Sequence, residues 1–133
     1  MIQERQREVK AIYTLDALQV SCGDPLIPTA TATITDEDGE THVVCSTGTG
    51  PVDAAYKAVD KAISAHGELT EFSVKAITRG IDAIGEVTVR ITAEDGKIYT
   101  GRGADTDIIV SSAKAYINAI NRMIQTNRSK AGN

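Results

Sequence analysis

Two glycine pairs, each placed just before a predicted helix start, are the part of this sequence best suited to binding a charged ligand. They lie in residues 48–53 (GTGPVD) and 101–107 (GRGADTD). Glycine leaves backbone N–H groups accessible, and a helix N-terminus adds about half a positive charge, so such turns favour a carboxylate or a phosphate. Both turns lack the third glycine of a dinucleotide-binding fingerprint. The alternative interpretation is that these glycines only allow tight strand-to-helix turns.

Acidic residues accompany both glycine pairs. Asp53, Asp105 and Asp107 lie at the predicted helix starts. They can cap the helix and complement its dipole, or they can face the ammonium group of a ligand. Their position alone favours capping.

Other residue types give weaker indications of chemistry. His42 and His66 lack neighbours at metal-ligand spacing, so we predict no metal site. The acidic hairpin tips at 36–39 and 94–96 are predicted to be plain turns, because a calcium loop needs more oxygen ligands. Cys22 and Cys45 lie in strand-like segments, which predicts buried, reduced thiols and fits a cytoplasmic location. No Ser–His–Asp or Cys–His set is indicated.

An internal repeat indicates which elements hold these turns. Residues 31–39 (TATITDEDG) and 88–96 (TVRITAEDG) agree at six of nine positions, and each copy precedes a further strand-like run, a glycine pair and a helix. The repeat predicts an α+β fold of two pseudo-symmetric βββα units, with antiparallel sheets and helices packed on one face.

The pattern also predicts element boundaries. The first unit (12–67) has a strand from Tyr13 with a bulge near Ala17, strands at 28–36 and 40–47, and a helix from Pro51 to His66 that Gly67 terminates. The second unit (68–126) has strands at 68–78, 86–92 and 97–101, a longer connection at 79–85, and a helix at 106–126 in which Ser111 and Ser112 face a close neighbour. Residues 1–11 are predicted to be a linker and residues 127–133 a disordered polar tail.

Composition limits the class of protein. The 133 residues suit one domain, and a single Phe with no Trp predicts a thin, β-branched core. The net charge of −4 and the lack of a basic cluster argue against a nucleic-acid partner. No apolar run is long enough to span a membrane, and the charged first residues do not form a signal peptide.

Three segments together resemble a known regulatory domain. Residues 48–55 (GTGPVDAA), 81–90 (IDAIGEVTVR) and 101–122 are similar to the C-terminal domain of 2-isopropylmalate synthases, and the resemblance covers roughly residues 12–125. It implies a homodimer that binds L-leucine for feedback inhibition and has no cofactor of its own. It also implies a parent enzyme whose preceding TIM barrel uses a divalent metal to condense acetyl-CoA with 2-oxoisovalerate.

The resemblance also implies an effector site. In the family, the positions matching thirteen residues of this sequence form or border it: Gly48, Gly50, Val52, Asp53, Ala54, Leu69, Phe72, Ala76, Ala83, Ile84, Ala104, Asp105 and Thr106. Turn amides would bind the leucine carboxylate, and Asp53 or loop carbonyls would bind its ammonium group. Side chains at 52, 69, 72 and 76 would form the apolar wall.

Three alternatives remain open at this stage. One methylene discriminates between ligands by only about 1–3 kcal/mol, so an isoleucine-binding domain of a citramalate synthase fits the same residue types. A purely structural dimerisation module fits the fold equally well. A small independent enzyme has little support, because no nucleophile–base pair or metal-ligand set can be named.

Overall fold

The predicted α+β order of elements is confirmed. A computed structural model describes residues 12–21, 27–63, 67–79 and 82–131. The elements follow in the order β1 (Thr14–Ser21), β2 (Thr29–Thr35), β3 (Thr41–Thr47), α1 (Pro51–Ala62), β4 (Glu68–Arg79), β5 (Asp82–Thr92), β6 (Ile98–Asp105) and α2 (Ile108–Ala131). The chain therefore contains two successive βββα units.

Each unit has an antiparallel sheet built from hairpins. The described strands form one sheet in the order β1-β2-β3 and a second in the order β4-β5-β6. A register shift between Leu15 and Ala17 gives the predicted bulge in β1. The two acidic hairpins turn at Gly39 and Gly96, both with φ of 85°, a conformation that glycine adopts without Cβ strain.

Small residues on the helices let each helix lie close to its sheet. Ala54, Ala55 and Ala58 of α1 are buried, as are Ala115 and Ala119 of α2. The resulting core is thin and consists mainly of Ala, Val and Ile, as the composition predicts. It forms one continuous cluster that spans both units.

The two helices join the units to each other. The rings of Tyr56 in α1 and Tyr116 in α2 have centroids 4.5 Å apart at an interplanar angle of 60°. The Tyr116 hydroxyl donates a hydrogen bond to Asp60 Oδ1 at 2.6 Å. Farther along α2, Asn121 accepts a hydrogen bond from the Tyr13 N–H and donates one to the Tyr13 carbonyl. α2 thus packs on its own sheet while its polar groups hold the first unit.

The structure corrects several boundaries. α1 ends at Ala62, and Ile63 is extended with φ −106° and ψ 153°, so the helix stops before the predicted end at His66. Most of the predicted connection at 79–85 is strand, since β5 begins at Asp82 and Gly85 pairs with Ala76. α2 continues to Ala131, so residues 127–131, predicted to be tail, are helical. The division into linker, domain and tail otherwise stays a prediction.

The cysteine prediction is also corrected in part. Cys45 is a free thiol, but it is exposed rather than buried. It lies in β3 between Val44 and Ser46, which face α1, so its own side chain is on the outer face of the sheet. Cys22, His66 and the linker at 1–11 lie outside the described residues.

Candidate functional site

The first glycine turn is fixed by Asp53. Gly50 is the N-cap of α1, and Pro51 occupies the first helical turn. Asp53 Oδ2 accepts a hydrogen bond from the Thr49 N–H at 2.9 Å and pairs with Lys57 Nζ at 3.1 Å. The Thr49 hydrogen bond holds the pKa of Asp53 below its usual value. Asp53 therefore fixes the turn but does not cap α1, because no side-chain hydrogen bond from the described residues caps the start of that helix. Its carboxylate is ionised at neutral pH.

The same turn keeps unpaired donors. The N–H groups of Gly48 and Ala54 bond to the carbonyls of Pro28 and Gly50. Within the described part of the chain, the N–H groups of Gly50, Val52 and Asp53 have no hydrogen-bond partner. These three donors lie at the N-terminus of α1, where the helix dipole favours an anion.

The second glycine pair is not a turn at a helix start, so that prediction is wrong. Gly101 and Gly103 lie inside β6, directly beneath α2. A Cβ built on Gly101 would collide with the backbone of Ala115 and Ala119, and one on Gly103 with the Ser111 carbonyl. Both positions require glycine, because the backbone of α2 lies too close to β6 to leave room for a side chain.

The start of α2 is instead capped by acidic side chains. Asp107 Oδ1 accepts hydrogen bonds from the N–H groups of Ile109 at 2.8 Å and Val110 at 3.4 Å. Asp105 accepts the Asp107 N–H at 3.0 Å and pairs with Lys114 at 3.1 Å. The Asp107 N–H holds the pKa of Asp105 below its usual value. Asp107 thus caps α2, and Asp105 holds the capping residue in place.

An apolar cleft lies where the two units meet. It holds about 260 Å³ of atom-free space, including its mouth, between α1, β4, β5 and α2. Its lining residues come from both units: Val52, Tyr56, Leu69, Phe72, Val89, Ser112, Ala113 and Tyr116. Because this figure includes open solvent at the mouth, the cleft is a shallow apolar depression, and a side chain bound there would lie mainly in its mouth.

The structure brings part of the predicted site together. Val52, Leu69 and Phe72 line the cleft, so three of the four predicted wall residues meet there. The N–H of Val52 is one of the unpaired donors of the first turn, so polar and apolar parts of the site adjoin. Gly48 has no room for a side chain, since a Cβ would lie 2.7 Å from Asp53 Oδ2. Ala54 is buried between α1 and its sheet.

The other predicted residues lie elsewhere. Ala76 and Ala83 are exposed, at the far end of the β4–β5 hairpin from Leu69. Ile84 lies on the face opposite to Gly85, which is buried against Ile108. Ala104 borders a separate groove beside β1 and α2, next to Asp105 and Thr106. Their part in binding a ligand stays a prediction.

The tyrosines and Ser112 of the cleft were not predicted to belong to it. Tyr56 and Tyr116 lie on the apolar stripes of the two helices, a position that a sequence pattern assigns simply to the core. Burial raises the pKa of Tyr116, and its hydrogen bond to Asp60 acts in the same direction. The neutral hydroxyl is therefore a fixed donor at the wall of the cleft. The predicted close contact of Ser111 is confirmed, as its hydroxyl donates to the Gly85 carbonyl at 2.8 Å.

An open apolar strip continues from the cleft along β4. α2 covers β5 and β6 but leaves the helix-facing side of β4 open. Phe72 and Val74 on that side are 40% and 47% exposed. Neither helix that the structure describes has the length and apolarity needed to cross a membrane.

Comparison with known proteins places this arrangement in a family. Residues 1–124 match the family model described as the LeuA allosteric (dimerisation) domain. The chain belongs to this family. The resemblance inferred from residues 48–55, 81–90 and 101–122 is thereby confirmed.

Curated relatives of this LeuA domain are longer proteins. A 2-isopropylmalate synthase of Olsenella uli is 75% identical over 132 residues, which are 99% of this chain and 26% of that protein. A protein of the same name from Prochlorococcus marinus (strain NATL1A) is 48% identical over 98% of this chain and 24% of its own length. Another from Gloeobacter violaceus is 50% identical over 92% of this chain and 23% of its own length. The chain thus spans about a quarter of the length of the curated relatives it matches.

Proposed function

We propose that this chain is the regulatory and dimerisation domain of a 2-isopropylmalate synthase and that it binds L-leucine for feedback inhibition. The observation that supports this most directly is the junction of unpaired N–H donors at α1 with an apolar cleft lined by Val52, Leu69 and Phe72. A zwitterion with a branched apolar side chain needs both features side by side.

The ligand's charged groups fit the start of α1. Its carboxylate would accept hydrogen bonds from the free N–H groups of Gly50, Val52 and Asp53, with the helix dipole adding to the attraction. Its ammonium group would face Asp53, whose ionised carboxylate is the nearest fixed negative charge of the turn. Placed in this way, the Cα of the ligand lies beside Val52.

The ligand's side chain fits the cleft. Transfer of an isobutyl group from water into such a site contributes about 2–3 kcal/mol. Phe72 is 40% exposed in the free chain, so a ligand or a partner that covers it removes further apolar surface from water. The walls belong to both units, so a ligand in the cleft favours one relative arrangement of the units over others, as inhibition at a distant site requires.

The parent protein would be a cytoplasmic transferase. Its activity, the condensation of acetyl-CoA with 2-oxoisovalerate at a divalent metal in a TIM barrel, would lie in sequence beyond this chain. The names of the relatives and their greater length support that assignment. The present domain would supply the effector site and a homodimer contact.

Calorimetric titration of the chain with L-leucine and L-isoleucine tests the proposal. We expect saturable heat with leucine and weaker binding of isoleucine. Phe72→Ala should weaken leucine binding roughly tenfold, because it removes one wall of the cleft. Ile98→Ala is the matched control, since Ile98 is 62% exposed on the opposite face of the same sheet.

The outcomes separate the alternatives. Tighter binding of isoleucine than of leucine would assign the domain to a citramalate synthase. A folded dimer that gives no heat with either amino acid would reduce the function to structural dimerisation and would refute the proposed effector site.

A further inference from the structure

The first hairpin gathers three side chains that can bind a metal ion. One ligand atom each from Asp36, Glu40 and His42 lies within 4.8 Å of the other two. Asp36 and Glu40 border the turn between β2 and β3, and His42 is the second residue of β3. The sequence pattern predicted no metal site and a plain turn here, because the fold rather than residue spacing brings these side chains together. We propose that this triad of Asp36, Glu40 and His42 binds a divalent transition-metal ion, with Zn²⁺ as the best match.

The backbone holds the first ligand in place. Asp36 Oδ1 accepts hydrogen bonds from the N–H groups of Asp38 at 2.9 Å and Glu40 at 3.0 Å. This fixes the carboxylate so that Oδ2 faces His42 Nε2 at 2.9 Å. Zinc–ligand bonds are about 2.0–2.2 Å long. Two ligand atoms on one zinc ion are therefore about 3.4 Å apart when the ligand–zinc–ligand angle is tetrahedral, and about 2.9 Å apart when that angle is about 90°. A zinc ion can therefore replace the Asp36–His42 hydrogen bond with small side-chain movements.

The ligand types select the class of metal. An imidazole with two carboxylates suits Zn²⁺ and its first-row neighbours, whereas Ca²⁺ and Mg²⁺ prefer sites made only of oxygen. With a neutral imidazole the triad has two negative charges. The side chains of Asp36 and His42 are 20% and 40% exposed, so water can complete the coordination.

Comparison of the two hairpins shows that the turn itself does not require the triad. The second hairpin has Ala93, Lys97 and Tyr99 at the positions of Asp36, Glu40 and His42. Its backbone nevertheless makes the same hydrogen bond. The Ala93 N–H donates to the Lys97 carbonyl at 2.9 Å, and in the first hairpin the Asp36 N–H donates to the Glu40 carbonyl at 2.9 Å. The glycines of both turns share a φ of 85°. The three ligating side chains are thus additions to a turn that folds without them.

A neighbouring acid is kept apart from the triad. Glu37 is held by Arg128 of α2 through two hydrogen bonds of 2.8 Å. It therefore serves as a matched control, since Glu37→Gln removes a carboxylate from the same turn but leaves the triad intact. His66→Ala is the second control, because the chain has only two histidines.

Titration of the 133-residue chain with Zn²⁺ by calorimetry, with Co²⁺ absorption in parallel, tests the inference. We expect one ion per chain and a visible d–d spectrum for Co²⁺. His42→Ala and Asp36→Asn should each weaken Zn²⁺ binding at least tenfold, while Glu37→Gln and His66→Ala leave it unchanged. Asparagine keeps the carbonyl that accepts the Asp38 and Glu40 N–H groups, so the turn is preserved.

Two results would overturn the inference. One is that the wild-type chain shows no Zn²⁺ binding up to a Zn²⁺ concentration of about 1 mM, at which even weak protein–metal sites are occupied. The other is His42→Ala chain that binds as tightly as wild type. Both results are independent of leucine binding, since no triad residue lines the cleft.

Discussion

Gly101 and Gly103 set the distance between α2 and its sheet. Both lie in β6 against the backbone of α2, with the carbonyls of Ala115 and Ser111 closest to the space a Cβ would occupy. Backbone atoms cannot rotate away as a flexible side chain can. A single methyl group at either position therefore has to displace the helix.

We expect Gly101→Ala to destabilise the fold by about 2–3 kcal/mol, as overpacking against a rigid neighbour does. Urea unfolding followed by circular dichroism measures the change. Arg102→Ala, at the exposed residue between the two glycines, should change the free energy of unfolding by less than about 0.5 kcal/mol. Equal effects of the two substitutions would mean that β6 tolerates a Cβ under α2.

The same residues show where prediction from sequence reached its limit. The local sequence of a glycine pair that precedes a helix is the same in two cases: when the pair forms the turn into the helix, and when it lies in a strand that the helix covers. The difference depends on where the backbone of α2 lies, which is a tertiary property. For Cys45 the limit was similar, since alternating Thr, Val and Cys residues fit either face of a strand.

At the level of elements, the starts of both helices depend on aspartate side chains. Asp53 holds the turn before α1, and Asp105 together with Asp107 organises the start of α2. The pKa values of Asp53 and Asp105 are lowered, chiefly by hydrogen bonds from backbone N–H groups. In the first hairpin, the hydrogen bond with His42 is the main cause of the lowered pKa of Asp36.

These shifts predict acid sensitivity. A carboxyl whose folded pKa lies below its unfolded value of 3.8 stabilises the fold above pH 3.8, and this contribution is lost as the pH falls through the folded pKa. We therefore expect the urea midpoint to fall steeply below about pH 4. Asp53→Asn should flatten that decline. Asp38→Asn should leave it unchanged, because the Asp38 side chain accepts no hydrogen bond from the described residues.

Element order was the most predictable property of this chain. Turn residues such as Gly39 and Gly96, and the apolar stripes of the helices, are local signals with a definite physical basis. The end of α1 was not predictable in the same way, because Gly67 resembles a helix terminator although the helix stops at Ala62. Of the predicted site residues, Val52, Leu69 and Phe72 meet at one cleft, whereas Tyr56 and Tyr116 could not be distinguished from ordinary core residues.

At the scale of the whole molecule, polar contacts between the helices align the two units. Tyr116 is 1% exposed, and its hydroxyl bonds to Asp60 across the α1–α2 interface. Removal of the hydroxyl leaves its ring in the cleft wall but breaks this link. The contact therefore couples the shape of the cleft to the relative position of the units.

We expect Tyr116→Phe to lower the free energy of unfolding by about 1.5–3 kcal/mol, the range found for hydrogen bonds to charged groups. It should also weaken leucine binding if the cleft is the effector site. Thermal unfolding with and without leucine measures both effects. A variant as stable as wild type would show that the Tyr116–Asp60 contact does not hold the units together.

The apolar strip of β4 is the face that we expect a homodimer of this domain to use. Phe72 and Val74 point to the same side of the sheet as the buried Val87 and Val89, yet neither helix that the structure describes covers them. A second copy that packs there would bury the strip and close the mouth of the cleft, which would link dimerisation to effector binding.

We expect Val74→Asp, which places a charge in that contact, to convert the dimer to monomer in sedimentation equilibrium. Ile98→Asp adds the same charge at a position 62% exposed on the other face and should leave the dimer intact. If instead Val74→Asp remains dimeric and Ile98→Asp dissociates, the dimer forms through the outer face of the sheet and the cleft opens to solvent in both copies.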